Sequence, residues 1–341
     1  MTTRISAAEL TALSNAALTR HGLSEADAET TSRILVDADM MGLPTHGVVR
    51  LDPYTARLRN GAADPNARPA LDQRAPSLAL VDGKDATGPV VAQLALDAAF
   101  EMTAETGIAY VGCRTSNHCG ALAPYGLQAC EKGYVMMCGT GASPTMPPFG
   151  GTGAVIGNNP LCMAAPCPEA PHFLLDMAMS VVARGKIRKA IAEGTSIPEG
   201  WAVDKDGKPT TDPVAANEGF LIAVGGHKGS GLSMAVDILS DLICGATFLT
   251  GIASWTDDIT AKQGLGHFFL LIDPARLIGR EAYDARMGEF QSIIRGTPPA
   301  DPARPVLMPG ELEQTAMAAA RRDGIEINDK LLAEVRTLAG A

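Results

Sequence analysis

Apolar positions recur with helical spacing at the start of the chain. Leu10, Leu13 and Ala17 follow the capping-box pair Ser6 and Glu9, and Ile34, Leu35, Ala38 and Met41 follow Ser24, so two helices are predicted, the second stopping at Gly42. Beyond a Pro- and Ala-rich stretch at 61–77, apolar runs of strand length alternate with helix-period segments: SLALV, a helix over 90–105, IAYVGCR, a second helix, then YVMMCGT. Such alternation predicts an α/β class. Segment 139–171 is dense in glycine and proline and predicts one long irregular loop, a form that usually carries function.

A strand FLLDMA and a helix over 180–193 follow, then a tight turn at Asp206-Gly207 between extended arms. Helix 228–243 has the most regular pattern, with Leu232, Ala235, Leu239 and Leu242 on one face, the face expected to be buried. GHFFLLIDP reads as a buried strand, and helices over 311–322 and 329–338 close the chain.

Composition narrows the class of partner. Lys and Arg number 28 against 38 Asp and Glu, a net charge of −10, and aromatics make up 4% of the 341 residues. A nucleic-acid partner is therefore not expected, because basic footprint and stacking platforms are both missing. No apolar stretch has the length of a signal core or a membrane span, which places the chain in the cytoplasm with no membrane partner. Seven cysteines without a C-x-x-C pair read as reduced core residues.

Nucleotide motifs are the first chemistry to test, and two common ones fail. After Gly139-Thr-Gly141 the position for the third glycine of a Rossmann loop is Pro144, and in GGHKGSG Lys228 precedes Gly229, where a P-loop needs the reverse order. GGHKGSG still suits an anion: free N–H groups at a helix start, glycines allowing close approach, and a lysine. Thr45-His46-Gly47 with Arg50 and Tyr54 pairs a proton donor with a guanidinium able to grip a carboxylate. On one helix His46 and Arg50 would share a face, although Pro53 capped by Asp52 predicts a separate segment 53–59. Ser116-Asn117-His118-Cys119-Gly120 follows a strand end, where ligands gather, although Ser116 or Asn117 would equally serve as a helix cap. Asp176 ends an apolar run and needs a partner: a ribose hydroxyl, a backbone N–H or an imidazole. His21, His172 and His267 read as ordinary loop or core positions, and no metal-ligand spacing occurs, so no metal is expected.

Together these segments resemble the type-2 malate/L-lactate dehydrogenases, a family that includes ureidoglycolate, sulfolactate and diketogulonate oxidoreductases and Δ1-piperideine-2-carboxylate reductases. The resemblance runs in family order from residue 6 to 338. It rests on GLPTHGVVRLDPY, SNHCGALAPYGLQACEKG, PPFGGTGAVIGNNPLCMAAP, LLDMAMSVVARGKI, PTTDP, GGHKGSGLSMAVDIL and MPGE. It implies a non-Rossmann α/β fold of two intertwined domains, with residues 1–125 and 300–341 forming a helical, substrate-binding and dimer domain and 126–299 a cofactor-binding domain. It further implies dependence on NAD or NADP, a small carboxylate substrate, and assembly as a homodimer or higher oligomer.

By the same resemblance His46 is the acid/base beside Thr45, Arg50 holds the substrate carboxylate with Tyr54 and Asn158 nearby, and His118 lies between nicotinamide and substrate. Cofactor contacts fall on His118, Gly120, Asp176, Met177, Ala178, His227, Lys228, Pro309, Gly310 and Glu311. Thr45 replaces the usual serine and keeps its hydroxyl, and Asn158 replaces a frequent threonine. Lys186 stands where imine reductases carry aspartate, which favours a 2-hydroxyacid dehydrogenase, malate-like or lactate-like, over the cyclic-imine reductase alternative. A metal-dependent lyase or hydrolase using His46, His118 and His227 is the alternative of another class.

Overall fold

The computed structural model describes residues 1–255 and 258–341. Strand β1 (Thr2–Ile5) precedes α1 (Ala7–Arg20) and α2 (Glu25–Met40). Both helices are capped as the sequence predicts: the Ser6 hydroxyl accepts Glu9 N–H at 3.1 Å and Ser24 accepts Asp27 N–H at 3.2 Å. Two 3-10 turns, Pro44–His46 and Val48–Arg50, lead into α3 (Leu51–Arg59). His46 and Arg50 thus sit on separate turns, and α3 starts ahead of Pro53 without a side-chain cap from Asp52. Pro53 is tolerated there because the N–H it lacks would be unpaired anyway in a first turn.

The hairpin β2 (Ala70–Ala75) and β3 (Leu78–Asp82) is followed by α4 (Gly88–Thr106), β4 (Ile108–Ser116), α5 (Ala123–Glu131) and β5 (Val135–Thr140). The Gly/Pro-dense segment is not all irregular, since it contains β6 (Leu161–Ala165), which pairs antiparallel with β5. Then come β7 (Phe173–Met177), α6 (Arg184–Glu193), β8 (Ala202–Val203), β9 (Pro209–Thr210), α7 (Pro213–Glu218), β10 (Phe220–Leu221) and α8 (His227–Asp237). The chain ends with β11 (Leu265–Ile272), α9 (Pro274–Ile278), α10 (Arg280–Arg295), α11 (Glu311–Asp323), β12 (Ile325–Asn328) and α12 (Asp329–Ala339).

Among the described residues the main sheet has seven strands in the order β2-β3-β4-β11-β5-β6-β7. Only β3 and β4 are parallel, joined by the crossover helix α4, and every other pair is antiparallel. Central β11 is buried on both faces, which explains its unbroken apolar run. Phe269 and Leu271 enter the larger core with Ile34, Leu96 and Tyr125, while Phe268 enters a second core with Met146, Ile187 and Val236. The expected division at 125/126 falls inside α5, and the sheet draws strands from both sides of it. All seven cysteines are buried free thiols, as the sequence predicts.

Helix α8 reverses the expected orientation. Leu232, Ala235 and Leu242 are exposed, and the inward face is Ser230, Ser233, Val236, Asp237, Ser240 and Asp241. Polar groups can face inward here because they meet unpaired backbone at the end of the sheet: Ser233 donates to Gly157 O at 2.8 Å, and Asp241 accepts Gly266 N–H at 2.9 Å. The helix continues as a π turn over Ile238–Leu242. No helix among the described residues is long and apolar enough to cross a membrane.

Candidate active site

Strand directions bring one set of sequence motifs to a single end of the sheet. Because β11 runs antiparallel to both β4 and β5, the C-terminal ends of β4 and β5 lie together. Antiparallel β6 and β7 then add the start of β6 and the end of β7. The Asn117–His118 loop, the Asn158–Asn159 loop and Asp176–Ala178 therefore share this end. Met179 N–H donates to Asn158 O at 2.8 Å and extends the β6–β7 pairing past the strands. On the other side of Met179, its carbonyl accepts Val224 N–H at 2.8 Å, and the chain passes directly from Val224 into Gly225, Gly226 and His227. The LLDMAMS and GGHKGSG motifs are thus neighbours across a backbone bridge.

The histidines meet in an aromatic cluster. His46 and His118 lie nearly parallel with ring centres 5.7 Å apart, and Trp255 stacks on His118 at 4.4 Å. The Tyr54 hydroxyl is 2.7 Å from His118 Nδ1 and 2.9 Å from its carbonyl oxygen. Thr45 Oγ1 lies 2.9 Å from His46 Nδ1, which fixes the ring and leaves Nε2 as its free nitrogen among the described residues. Arg50 places its guanidinium carbon 4.8 Å from the centre of the Trp255 ring, and its Nε is buried without a hydrogen-bond partner.

Burial and like charge set the protonation states. Burial first, then Arg50, lowers the His46 pKa to about 4, so the imidazole is neutral at pH 7. His118 is lowered well below the usual value by burial and then by His46 and Arg50. No acidic side chain forms an ion pair with Arg50 among the described residues. Beneath this cluster Asp39 accepts Val48 N–H at 2.8 Å, and a Cβ at Gly47 would run into its carboxylate. Burial raises Asp39 to about 7, with only the Val48 bond opposing.

The groups expected to hold a cofactor divide into two. Asp176 finds its partner in backbone: its Oδ2 accepts Leu122 and Ala123 N–H at 3.0 and 2.8 Å, so it caps α5, the role open to Ser116 or Asn117 on sequence alone. Burial still raises its carboxyl to about 6. Pro309 accepts Leu174 N–H at 3.0 Å, laying Pro309-Gly310-Glu311 along the outer edge of β7, where Gly310 has φ +91° and no room for a Cβ. Glu311 pairs with Arg295 at 2.7 Å. His227 and Lys228 are exposed at the start of α8, whose Gly226 N-cap offers no side-chain acceptor to the first N–H groups. Gly120 (φ +85°) turns the chain behind His118.

His267 is the core histidine that the sequence predicts, bonded to Thr140 at 2.7 Å and Ser116 at 2.8 Å. No group of three or more His, Cys, Asp or Glu side chains could hold a metal among the described residues. Sequence reasoning missed four contributors. Trp255 and Gln263 come from the segment before β11, and the Gln263 side chain accepts His118 N–H at 3.1 Å. Arg57, buried in α3, binds Asn117 Oδ1 and Ala261 O, each at 2.9 Å. Asn159, next to the expected Asn158, is the fully buried one, accepting Ala142 N–H and donating to Ser233 O, both at 2.9 Å. Only the scarcity of tryptophan, two in the chain, marked Trp255 in advance.

The sheet is mixed, carries no Rossmann loop, and ends at two neutral histidines beside a guanidinium with no ion pair among the described residues, which sets the molecule among α/β proteins outside the usual dinucleotide fold. The chain belongs to the malate/L-lactate dehydrogenase family, whose model matches residues 5–336. It is 35% identical to the L-sulfolactate dehydrogenase of Methanocaldococcus jannaschii, over 94% of this chain and 92% of that one. It is 33% identical to a Delta(1)-pyrroline-2-carboxylate reductase of Ancylobacter novellus, over 98% of this chain and 97% of the other. The solved sulfolactate dehydrogenase of M. jannaschii superposes with a TM-score of 0.93 at 33% identity, covering 99% of this chain and 97% of that one.

Proposed function

We propose that the protein is an NAD- or NADP-dependent dehydrogenase that interconverts a small 2-hydroxycarboxylate, malate-like or lactate-like, and its 2-oxoacid. The observation that carries this reading is Arg50, a half-buried cation with an unpartnered Nε and no ion pair among the described residues, held next to a neutral imidazole. Its fork takes the substrate carboxylate and orients C2. His46 Nε2 gives a proton to the carbonyl oxygen in reduction and takes the hydroxyl proton in oxidation. A seated carboxylate offsets the Arg50 charge, the smaller of the two causes of the low His46 pKa, so substrate raises the proton affinity of His46. Tyr54 and Asn158 complete the substrate side, and Thr45 and His118 hold His46 in register.

The cofactor side fits an anionic dinucleotide: an uncapped helix start at Gly226–His227, exposed Lys228, and the adjacent Met177–Ala178 backbone. Asp176 orders this region through α5, and Pro309, Gly310 and Glu311 border it along β7. A bound nicotinamide supplies or takes the hydride at C2. Self-association accompanies this reading, because α8 and the turn after it present Leu232, Met234, Ile238, Leu242 and Ile243 to the outside.

The test is a panel of 2-oxoacids, 2-hydroxyacids and cyclic imines with each cofactor, followed by nicotinamide absorbance. Turnover confined to cyclic imines would transfer the assignment to the reductase reading, which the similarity to the Ancylobacter reductase supports and exposed Lys186 does not. Absence of turnover with all three classes would refute both.

A further inference from the structure

We infer that Trp255 is a positioning residue that holds Arg50 and His118 in the relative placement a carboxylate substrate needs. The inference rests on the proposed 2-oxoacid reading for its substrate. Its geometry stands independently.

Three contacts converge on the indole. One face stacks on His118 at 4.4 Å with the planes 18° apart, the Arg50 guanidinium carbon lies 4.8 Å from the ring centre, and Tyr54 approaches edge-on at 6.1 Å. A guanidinium held against a ring uses its flat face, so its in-plane N–H groups stay free. In keeping with this, Arg50 Nε is buried and has no hydrogen-bond partner among the described residues. An acidic side chain in place of the ring would stabilise the same cation but occupy the fork that substrate must use. The indole stabilises the buried charge and leaves the fork open.

The same segment fastens the rest of the cluster. Gln263 Oε1 accepts His118 N–H, and Ala261 O accepts from Arg57, which in turn holds Asn117. His118 is therefore fixed by Tyr54 at its Nδ1, by Gln263 at its backbone and by Trp255 on its ring. Trp255 also carries Arg50 against its ring, so it sets the spacing between the carboxylate grip and the histidine pair.

The experiment compares Trp255→Ala and Trp255→Phe with the wild type, using pyruvate and oxaloacetate. Trp255→Ala is expected to raise KM on the order of tenfold, with cofactor Kd unchanged, and Trp255→Phe to recover most of the loss because it restores a ring face. In an Arg50→Lys background, Trp255→Ala should cost much less, since the partner it positions is already altered. Equal KM in all three proteins, or a Phe variant no better than Ala, would overturn the inference.

A second measurement needs no turnover. In Trp201→Phe, Trp255 is the only tryptophan left, and His118→Ala should roughly double its acrylamide quenching by uncovering one face. Unchanged quenching would show that the stack does not exist. Failure of the substrate panel with the quenching change intact would refute the substrate reading and leave the platform standing.

Discussion

Replacing Asp39 by asparagine should stabilise the protein at high pH and leave it nearly unchanged at low pH. Asp39 is a buried carboxyl beneath the turn that carries His46, with Val48 N–H as its hydrogen-bond partner at 2.8 Å. Burial raises its pKa from 3.8 to about 7. The folded chain therefore binds this proton more tightly than the unfolded chain does. The contribution is fully present below about pH 4 and is lost as pH rises through 7. At 1.36 kcal/mol per unit, the shift caps the cost of ionisation at about 4 kcal/mol. Partial hydration of the open turn reduces this, and we expect about 2 kcal/mol at pH 9. Asparagine keeps an acceptor oxygen for Val48 N–H and never ionises. Urea denaturation of both proteins from pH 4 to 9, followed by circular dichroism, measures the difference. The gap should open between about pH 4 and 7 in favour of Asp39→Asn and stay level above that. A gap independent of pH, or a variant less stable at pH 9, would refute the assignment of a raised carboxyl to this position.

The active site gives three more expectations. His46→Gln should lower turnover by roughly 10² to 10⁴ while cofactor Kd from fluorescence titration stays within about twofold, as expected for loss of a positioned acid/base; unaltered turnover would move that role to another group. Arg50→Lys should lower kcat/KM roughly ten- to a hundredfold on a carboxylate substrate and much less on its amide, because a point charge replaces a planar fork; equal losses on both would make Arg50 a structural residue. Lys228→Ala should weaken cofactor binding about five- to tenfold by calorimetry with little change in the turnover of the saturated enzyme, because a cation at a helix start attracts phosphate charge; intact cofactor affinity with weakened substrate binding would assign the loop to substrate.

Local signals made much of this fold legible, and long-range ones did not. Ser6 and Ser24 announced their helices because a cap and the N–H it binds are three residues apart. The run in β11 announced a strand buried on both faces. Strand β6 was hidden because its five residues are flanked by Pro160 and Pro166, which read as loop. The outward face of α8 was misread because periodicity reports that a helix has two faces and not which one the protein covers. Ser233 and Asp241 point inward to bond backbone at Gly157 and Gly266 near the sheet end, a demand that exists only after the sheet has formed. In the site, His46, Arg50, Tyr54 and His118 were all named from motifs, and Tyr54 and His118 do meet. Trp255 lies 137 positions beyond His118 in an unpatterned segment, where no spacing rule reaches it.

On the proposed reading, the charge arrangement accounts for how a chain of net charge −10 takes up an anionic substrate. Repulsion from distant surface carboxylates is screened within about a Debye length, whereas a buried cation is screened much less. Arg50 is a half-buried cation of this kind, and both neighbouring histidines are neutral at pH 7, so the positive charge of the cluster rests on arginine, Arg50 with Arg57 behind it, and not on the imidazoles. With protonated histidines beside it, the guanidinium would face like charges in a low dielectric, and the imidazolium closest to substrate would lose its proton to water. With the histidines neutral, a carboxylate seated at Arg50 on the proposed reading offsets the charge nearest His46. The loss of that charge raises the proton affinity of His46, whose Nδ1 is already tied to Thr45 and whose Nε2 is free. On the proposed reading, anion binding at Arg50 and proton uptake at His46 therefore favour each other, so the substrate carboxylate assists the protonation on which the carbonyl oxygen draws.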